Sequence, residues 1–454
     1  MDFNKFNQQF SQFSPEMKEQ IIKMAKARVL EKVRSWLSLP AITLAALCMG
    51  AIVGALTAFF GDVLLRIGTI REAHPLYLIP FLAAAGVAIV FAYKKWGKGS
   101  QRGMELIFSV GHKKEDHIPL RMIPFVAICT WITHLFGGSA GREGVAMQIG
   151  AAFAHNVSKK FPFENATHIM LISGIAAGFA GLFQVPMAAT VFAIEIFVVG
   201  HLELAALLPA TAAAFTACKV SSLLGLPKFA IDLDELLMQS GGQSITNLFL
   251  REGSLDIQFV LKLALLGALF GIIGGGFTKL LSISKEFFAR KFDNPIKRIA
   301  IMGASLSVIF LLFFNGRYSG LGTNLIDLCF ANGAIVGNAQ AASIYNFDWI
   351  LKFALTILTL SAGFVGGEVT PLFAIGATLG AASAATLGIP MPVAAALGYA
   401  SVFGSASNTW WAPILIGVEV FGYNCLPLFF IVCTVSYICN GGNSIYKQKK
   451  IRFR

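Results

Sequence analysis

Runs of apolar residues long enough to cross a bilayer recur along the chain, for example "LPAITLAALCMGAIVGALTAFFG" at 39–61 and "FVLKLALLGALFGIIGGGF" at 259–277. In hydrocarbon every backbone N–H and C=O must be paired within the protein, which leaves only helices and closed barrels as spanning structures. No strand-like alternation accompanies these runs, so the expected fold class is all-α, a polytopic helical membrane protein. Composition agrees: 56% of the 454 residues are hydrophobic and 13% charged, against about half and a quarter in soluble domains.

The formal charge of +12 does not point to nucleic acid, because the basic residues lie at the ends and between the apolar runs rather than among aromatics on a folded face. That placement is how a membrane protein marks its cytoplasmic side. The densest groups are at 18–34 and 447–454, so both termini are expected inside the cell. The first fifteen residues are polar and Phe-rich, without the apolar core of a secretory signal. Residues 15–37 place Ile21, Ile22, Ala25, Val29, Val33 and Trp36 on one helical face. They form either an amphipathic helix on the membrane surface or a soluble cap packed on the membrane domain. Seven cysteines form no CxxC pair and read as free buried thiols.

Polar breaks divide the chain into an N-terminal segment (1–38), a first membrane half (39–226), a connection (227–256), a second membrane half (257–446) and a basic tail (447–454). Several apolar segments, among them 142–157, 165–180 and 368–388, are shorter than a full span and predict helices that stop partway through the membrane. Each half holds a Gly-rich, acid-containing helix start, "GSAGREG" (138–144) and "GFVGGEVTP" (363–371). Matching irregularities in two halves predict an inverted repeat with its site at the midplane.

A helix N-terminus presents unpaired N–H groups and about half a positive charge, which suits an anion even at low dielectric. Gly141, Gly144, Gly366 and Gly367 let the backbone approach an ion, and Pro371 suits a first helical turn. A carboxylate at membrane depth costs on the order of 3 kcal/mol on insertion scales. Two readings of Glu143 follow. It is a protonatable surrogate that occupies the anion position, coupling proton to anion movement, or it is salt-bridged to Arg142 or to a loop at the membrane edge. Glu368 is either a helix-start cap or a second proton carrier. Glu195, Glu203 and Glu419 read as paired structural acids or interface residues, and His134 as a proton relay or a satisfied interior imidazole. "GAIVG" (50–54) and "GALFG" (267–271) match the small-xxx-small packing pattern. No nucleophile set, phosphate-loop lysine or metal spacing occurs, so no enzyme activity, cofactor or metal is expected.

At these residues the chain resembles the CLC family of chloride channels and anion/proton antiporters. "GSAGREG" matches the family's gating-glutamate motif, "GGEVTP" stands where the family has GGxFxP, and "GGNSIY" (441–446) where it has a stretch ending in an anion-contacting tyrosine. "FQVPMAATVFAIEIF" (183–197) resembles another family segment. The resemblance implies that Glu143 is the gating glutamate, that Tyr446 lines the anion path, and that the protein is a homodimer with one pathway per subunit. The nucleotide-binding regulatory domains of larger members are not expected.

The departures are informative. Met104 in "RGMELIF" stands at the position of the usual anion-binding serine, Val145 replaces the proline of GREGP, and Val369 replaces the phenylalanine of GGxFxP. Ile196 falls where chloride/proton antiporters carry an inner proton glutamate, with Glu195 one residue earlier. This combination resembles the family's fluoride-exporting branch and implies that Glu368 and Thr370 join the pathway. The expected function is therefore exchange of fluoride for protons across the inner membrane, with Arg142, Gly141, Gly144, Val145, Gly367, Val369 and Thr370 cradling the anion and Met104 and Tyr446 lining its path. A chloride/proton antiporter or a passive chloride channel on the same fold, and an unrelated polytopic transporter or scaffold, are the rival readings.

Overall fold

The computed structural model describes residues 14–161, 163, 165–251, 254–331 and 344–450. It is all-helical apart from one two-residue hairpin, Leu250–Arg251 with Ser254–Leu255. Among the described residues, seven helices can cross a membrane by length and composition, including Ser38–Ala73, Pro75–Gly97 and Ile257–Lys291. The last has 35 residues, roughly 50 Å at about 1.5 Å per residue, and must tilt in or project beyond a ~30 Å hydrocarbon layer.

The N-terminal helix does not end where the membrane begins. It runs without interruption from Pro15 to Ala73, capped by Ser14, whose hydroxyl accepts from Met17 N–H at 3.3 Å, and it carries Pro40 in its interior. The side chains of its expected apolar face lie outside the described residues. The connection at 227–256 is likewise more structured than its polarity indicates. It holds the short helices Leu233–Gln239 and Ile245–Phe249, the first capped by Asp232, whose carboxylate accepts from Asp234 and Glu235 N–H at 3.1 Å.

Of the three segments expected to be short, Glu143–Ser158 has 16 residues, whereas Ala166–Phe183 and Val369–Leu387 reach 18 and 19 and are long enough to span. The distinguishing property of the latter two is burial: most of each lies inside the protein rather than on its lipid-facing surface. Apolar residues packed on all sides satisfy the same composition as a lipid-exposed span, so length alone misjudged them.

Glycine makes this burial possible. The Glu143 helix (Glu143–Ser158) crosses Ala166–Phe183 where a Cβ on Gly150 would lie 2.0 Å from the Gly174 carbonyl oxygen. The Val369 helix (Val369–Leu387) crosses Met391–Ser407 where a Cβ on Gly376 would lie 2.0 Å from Gly398 O. Gly150 and Gly376 sit the same number of residues beyond their helix starts, so the two halves repeat one crossing. The sequence patterns at 50–54 and 267–271 behave alike, with Gly50 against Ala213, Gly54 against Ala217, Gly267 against Val432 and Gly271 against Ser436.

Gly376→Ala is expected to force these helices apart and cost about 1–3 kcal/mol. Gly276→Ala, where an added Cβ meets nothing within 4 Å, should be neutral or mildly stabilising. Thermal unfolding in detergent compares them, and equal midpoints would contradict the crossing.

Of the seven cysteines, Cys129, Cys329, Cys425 and Cys433 are buried, Cys218 and Cys439 are half-buried, and Cys48 is exposed. All are free, but the expected burial fails for three. Cys48 lies on the outward face of the first long helix, where a membrane rather than protein would cover it.

Candidate functional site

The two Gly-rich loops meet. Gly141 N–H donates to Gly367 O at 2.5 Å and Gly367 N–H to Gly141 O at 2.8 Å, an antiparallel bridge between the halves. Each loop then turns into its helix two residues later, at Glu143 and at Val369. A Cβ on Gly141 would stand 2.9 Å from Pro371 Cδ and one on Gly367 3.1 Å from Gly144 N, so glycine is what lets the two helix starts come this close.

Glu143 reaches across this bridge. Its Oε2 accepts from Thr370 N–H at 3.1 Å, from the Thr370 hydroxyl in a short hydrogen bond, and from Arg142 N–H at 3.3 Å. The carboxylate is 1% exposed and sits on the N-terminus of the opposite half's helix. Charge-assisted donors of this kind contribute about 1.5–3 kcal/mol each, and the helix terminus adds up to ~2 kcal/mol in partly buried settings, which together offset the cost of burying the charge. Arg142 Nε also lies 3.6 Å from Oε1, the ion pair that the second reading of Glu143 expects. Arg142 Nε and Nη1 are buried without a hydrogen-bond partner among the described residues.

A cavity of about 630 Å³ approaches from one side. Met104, Gln148, Glu368 and Tyr446 line its inner part, and Lys285 and Lys447 lie toward its mouth, whereas Glu143 and Thr370 do not border it. The Tyr446 ring stacks on Phe108 at 5.6 Å and meets Phe192 edge-on at 5.9 Å. Its buried hydroxyl has no partner among the described residues. Met104 opens the helix Met104–Gly111 and supplies no donor where a serine would. Gln148, which composition and motif did not single out, lines the cavity from the Glu143 helix; a lone amide side chain in the apolar stretch "VAMQIGAAFA" was the available signal. At the mouth Glu105 accepts a hydrogen bond from Lys447 at 2.8 Å, which holds its carboxyl below the usual carboxylate range.

Glu368 occupies the N-cap position of the Val369 helix but makes no capping hydrogen bond. Its carboxylate instead points into the cavity, 3.7 Å from Lys285 Nζ. Val145 is buried in an apolar cluster with Ala58, Phe60, Leu64 and Leu182, and its side chain is not brought to the cavity. Val369 is also fully buried, and Gly144 faces Gly367, 3.4 Å from its Cα to a Cβ built on Gly144.

The remaining acids are structural. Glu195, at the end of Pro186–Glu195, accepts from Trp410, Trp411 and Ala412 N–H at 2.6–3.2 Å and so caps Trp411–Phe421. Glu419, near the end of that helix, accepts from Met187 and Ala188 N–H and caps the first. Glu203 lies 3.7 Å from His168. His134 places Nδ1 2.8 Å from Thr130 O and Nε2 2.9 Å from Ala140 O; both oxygens are acceptors, so a neutral ring donates to one of them and only an imidazolium donates to both.

The fold and the site together define an integral membrane protein in which two half-related helix starts meet in the interior and one carries a buried carboxylate from the other. The chain belongs to the voltage gated chloride channel family, whose model matches residues 85–441. It is similar to the "Chloride/fluoride channel protein" of Pseudomonas syringae pv. tomato, 32% identical over 93% of this chain and 88% of that protein. It is also similar to the "H(+)/Cl(-) exchange transporter ClcA" of Vibrio parahaemolyticus, 26% identical over 95% of each. Among solved structures, a CLC-type fluoride/proton antiporter superposes with a TM-score of 0.83 at 47% identity, covering 92% of this chain and 99% of that one. A slow cyanobacterial Cl⁻/H⁺ antiporter shares the fold, with a TM-score of 0.69 at 19% identity over 89% of this chain and 96% of its own.

Proposed function

We propose that the protein is a secondary transporter exchanging fluoride for protons, and that Glu143 is both its gate and its proton carrier. The observation that carries this reading is the Glu143 carboxylate on Thr370 N–H and Oγ, the donors a free anion would use. Deprotonated, Glu143 fills that place. Protonation removes the charge that the donors and helix end favour, so the side chain leaves with its proton and an anion takes the position. Fluoride is small and costly to dehydrate, and needs close donors. Thr370, the backbone between Gly141 and Gly144 and between Gly366 and Thr370, and the unpartnered Tyr446 hydroxyl supply them, while Met104 excludes water from the path. Glu368, beside Lys285 in the cavity, is the second proton-coupled acid.

The basic residues around the cavity mouth support a cytoplasmic orientation of that side by the positive-inside rule; on this reading both termini lie there and the protein is an inner-membrane protein, and its family resemblance supports a homodimer. The fluoride/proton antiporter whose structure this chain resembles at 47% identity supports fluoride as the substrate. The chloride/proton exchangers among the relatives favour the second reading, chloride/proton antiport on the same site.

Liposomes carrying the purified protein, loaded with fluoride or chloride, test this with internal pH followed during efflux. Fluoride efflux well above chloride, with proton uptake, is expected. Comparable chloride efflux would favour the second reading, and fluoride efflux without proton movement would make the protein a channel.

A further inference from the structure

We propose that a groove at the basic end of the membrane domain is a binding site for the headgroup of an anionic phospholipid. The groove, of about 650 Å³, lies between the end of the span Pro75–Gly97 and the start of the helix Met122–Leu135. Lys95, Lys98, His117 and Arg121 line it with Trp96 and Phe125.

Its charged and ring-nitrogen lining consists of donors for an anion, while the remaining polar side chain, Asn156, spends its NH2 on Ile118 O and Ala152 O. Lys159 Nζ lies 2.9 Å from His117 Nδ1, so a neutral His117 carries its proton on Nε2 and donates from there. Arg121 Nη1 reaches Trp96 O at 3.5 Å and holds the end of the span against the next helix. Lys95 Nζ stands 4.9 Å over the Trp96 ring, a cation–π contact that keeps the ammonium at the groove. Lys95, Lys98 and Arg121 have no carboxylate partner among the described residues, and the nearby Glu115 is taken by Arg102 at 2.6 Å. The site is therefore cationic and uncompensated.

The rest of the groove is apolar and opens on the outer face. Trp96, Phe91 and Leu120 are each about half exposed, at the point where a span leaves the hydrocarbon, the depth at which tryptophan anchors a membrane protein. Phosphate alone would use only the cations. A phospholipid uses both, its phosphate on Lys95, Lys98, Arg121 and His117 and its chains beside Phe91, Leu120 and Phe125. Basic pockets between membrane helices favour such headgroups.

The full chain in neutral detergent would be titrated with phosphatidylglycerol, phosphatidylcholine or inorganic phosphate, reading thermal midpoint and bound lipid by native mass spectrometry. Phosphatidylglycerol is expected to be retained and to raise the midpoint, with phosphatidylcholine and phosphate without effect. The Lys95→Gln/Arg121→Gln variant should weaken phosphatidylglycerol binding by about tenfold or more, while Lys23→Gln/Lys26→Gln, an equal charge loss elsewhere, leaves it unchanged. Equal retention of the two lipids by the unaltered protein would overturn the proposal without recourse to any variant. An equal loss in both variants would reduce it to bulk charge, and a phosphate effect matching the lipid's would make it a free-anion site.

Discussion

Glu143→Gln is expected to abolish proton movement during anion transport, lowering proton uptake by at least a hundredfold in liposomes. The amide keeps the size of the carboxyl but neither titrates nor carries charge. Its contacts with Thr370 N–H and hydroxyl fall from charge-assisted bonds to ordinary ones of about 1 kcal/mol. Glu143→Ala vacates the position and leaves the same donors to the solvent or to a free anion, so it too uncouples protons. Thr370→Val removes the hydroxyl but keeps the backbone N–H, and its coupled flux should fall only about tenfold. Proton-coupled efflux of normal size in Glu143→Gln would end the reading of this residue as proton carrier.

A second large effect concerns stability. Asp348 is fully buried and accepts from Arg317 Nη2 at 2.6 Å, Arg317 Nε at 3.3 Å, the Tyr318 hydroxyl at 2.6 Å and Tyr345 N–H at 3.0 Å. Asp348→Ala removes the carboxylate to which the almost buried Arg317 guanidinium donates and orphans the Tyr318 hydroxyl, and breaking a buried pair in this way typically costs about 3–5 kcal/mol. That is a large share of the stability of an ordinary domain. The variant should lose its monodisperse peak on size-exclusion chromatography or unfold well below the parent. Asp348→Asn keeps one acceptor oxygen, enough for the Tyr318 hydroxyl and Arg317 Nε, but it is neutral and turns an NH2 toward Arg317 Nη2 and Tyr345 N–H, so it should fall between Asp348→Ala and the parent. Equal stability of Asp348→Ala and the parent would show that the cluster carries no net energy.

The buried lysine of the same region shows what motif reading overlooks. Lys352 is fully buried, donating to Ser139 Oγ at 3.0 Å, Tyr318 O at 3.2 Å and Gly320 O at 2.8 Å. Its helix also presents Thr356 and Thr359 to Ser139, which precedes the Glu143 loop. In "DWILKFALTILTLSA" a single lysine on an apolar helix looks like a snorkelling surface residue. Only the partners that surround it, drawn from two distant loops, make it a strut under the segment that leads to Glu143.

Local chemistry is legible in order along the chain. The apolar runs, the two Gly-rich helix starts and the acid at Glu143 are each properties of a few adjacent residues, because backbone hydrogen bonding in lipid, glycine's close approach and the cost of a buried charge act locally. From these the sequence by itself determined a helical membrane protein of two related halves with a carboxylate at the junction. The tertiary structure alone decided which groups meet. It joined Gly141 to Gly367, set Glu143 on Thr370, turned Glu368 away from its helix end toward Lys285, moved Val145 into an apolar cluster, and made Glu195 and Glu419 reciprocal caps. Those outcomes depend on how helices hundreds of residues apart cross, and that is set by side-chain volumes and glycine contacts summed over the whole packed interior, which no local pattern contains.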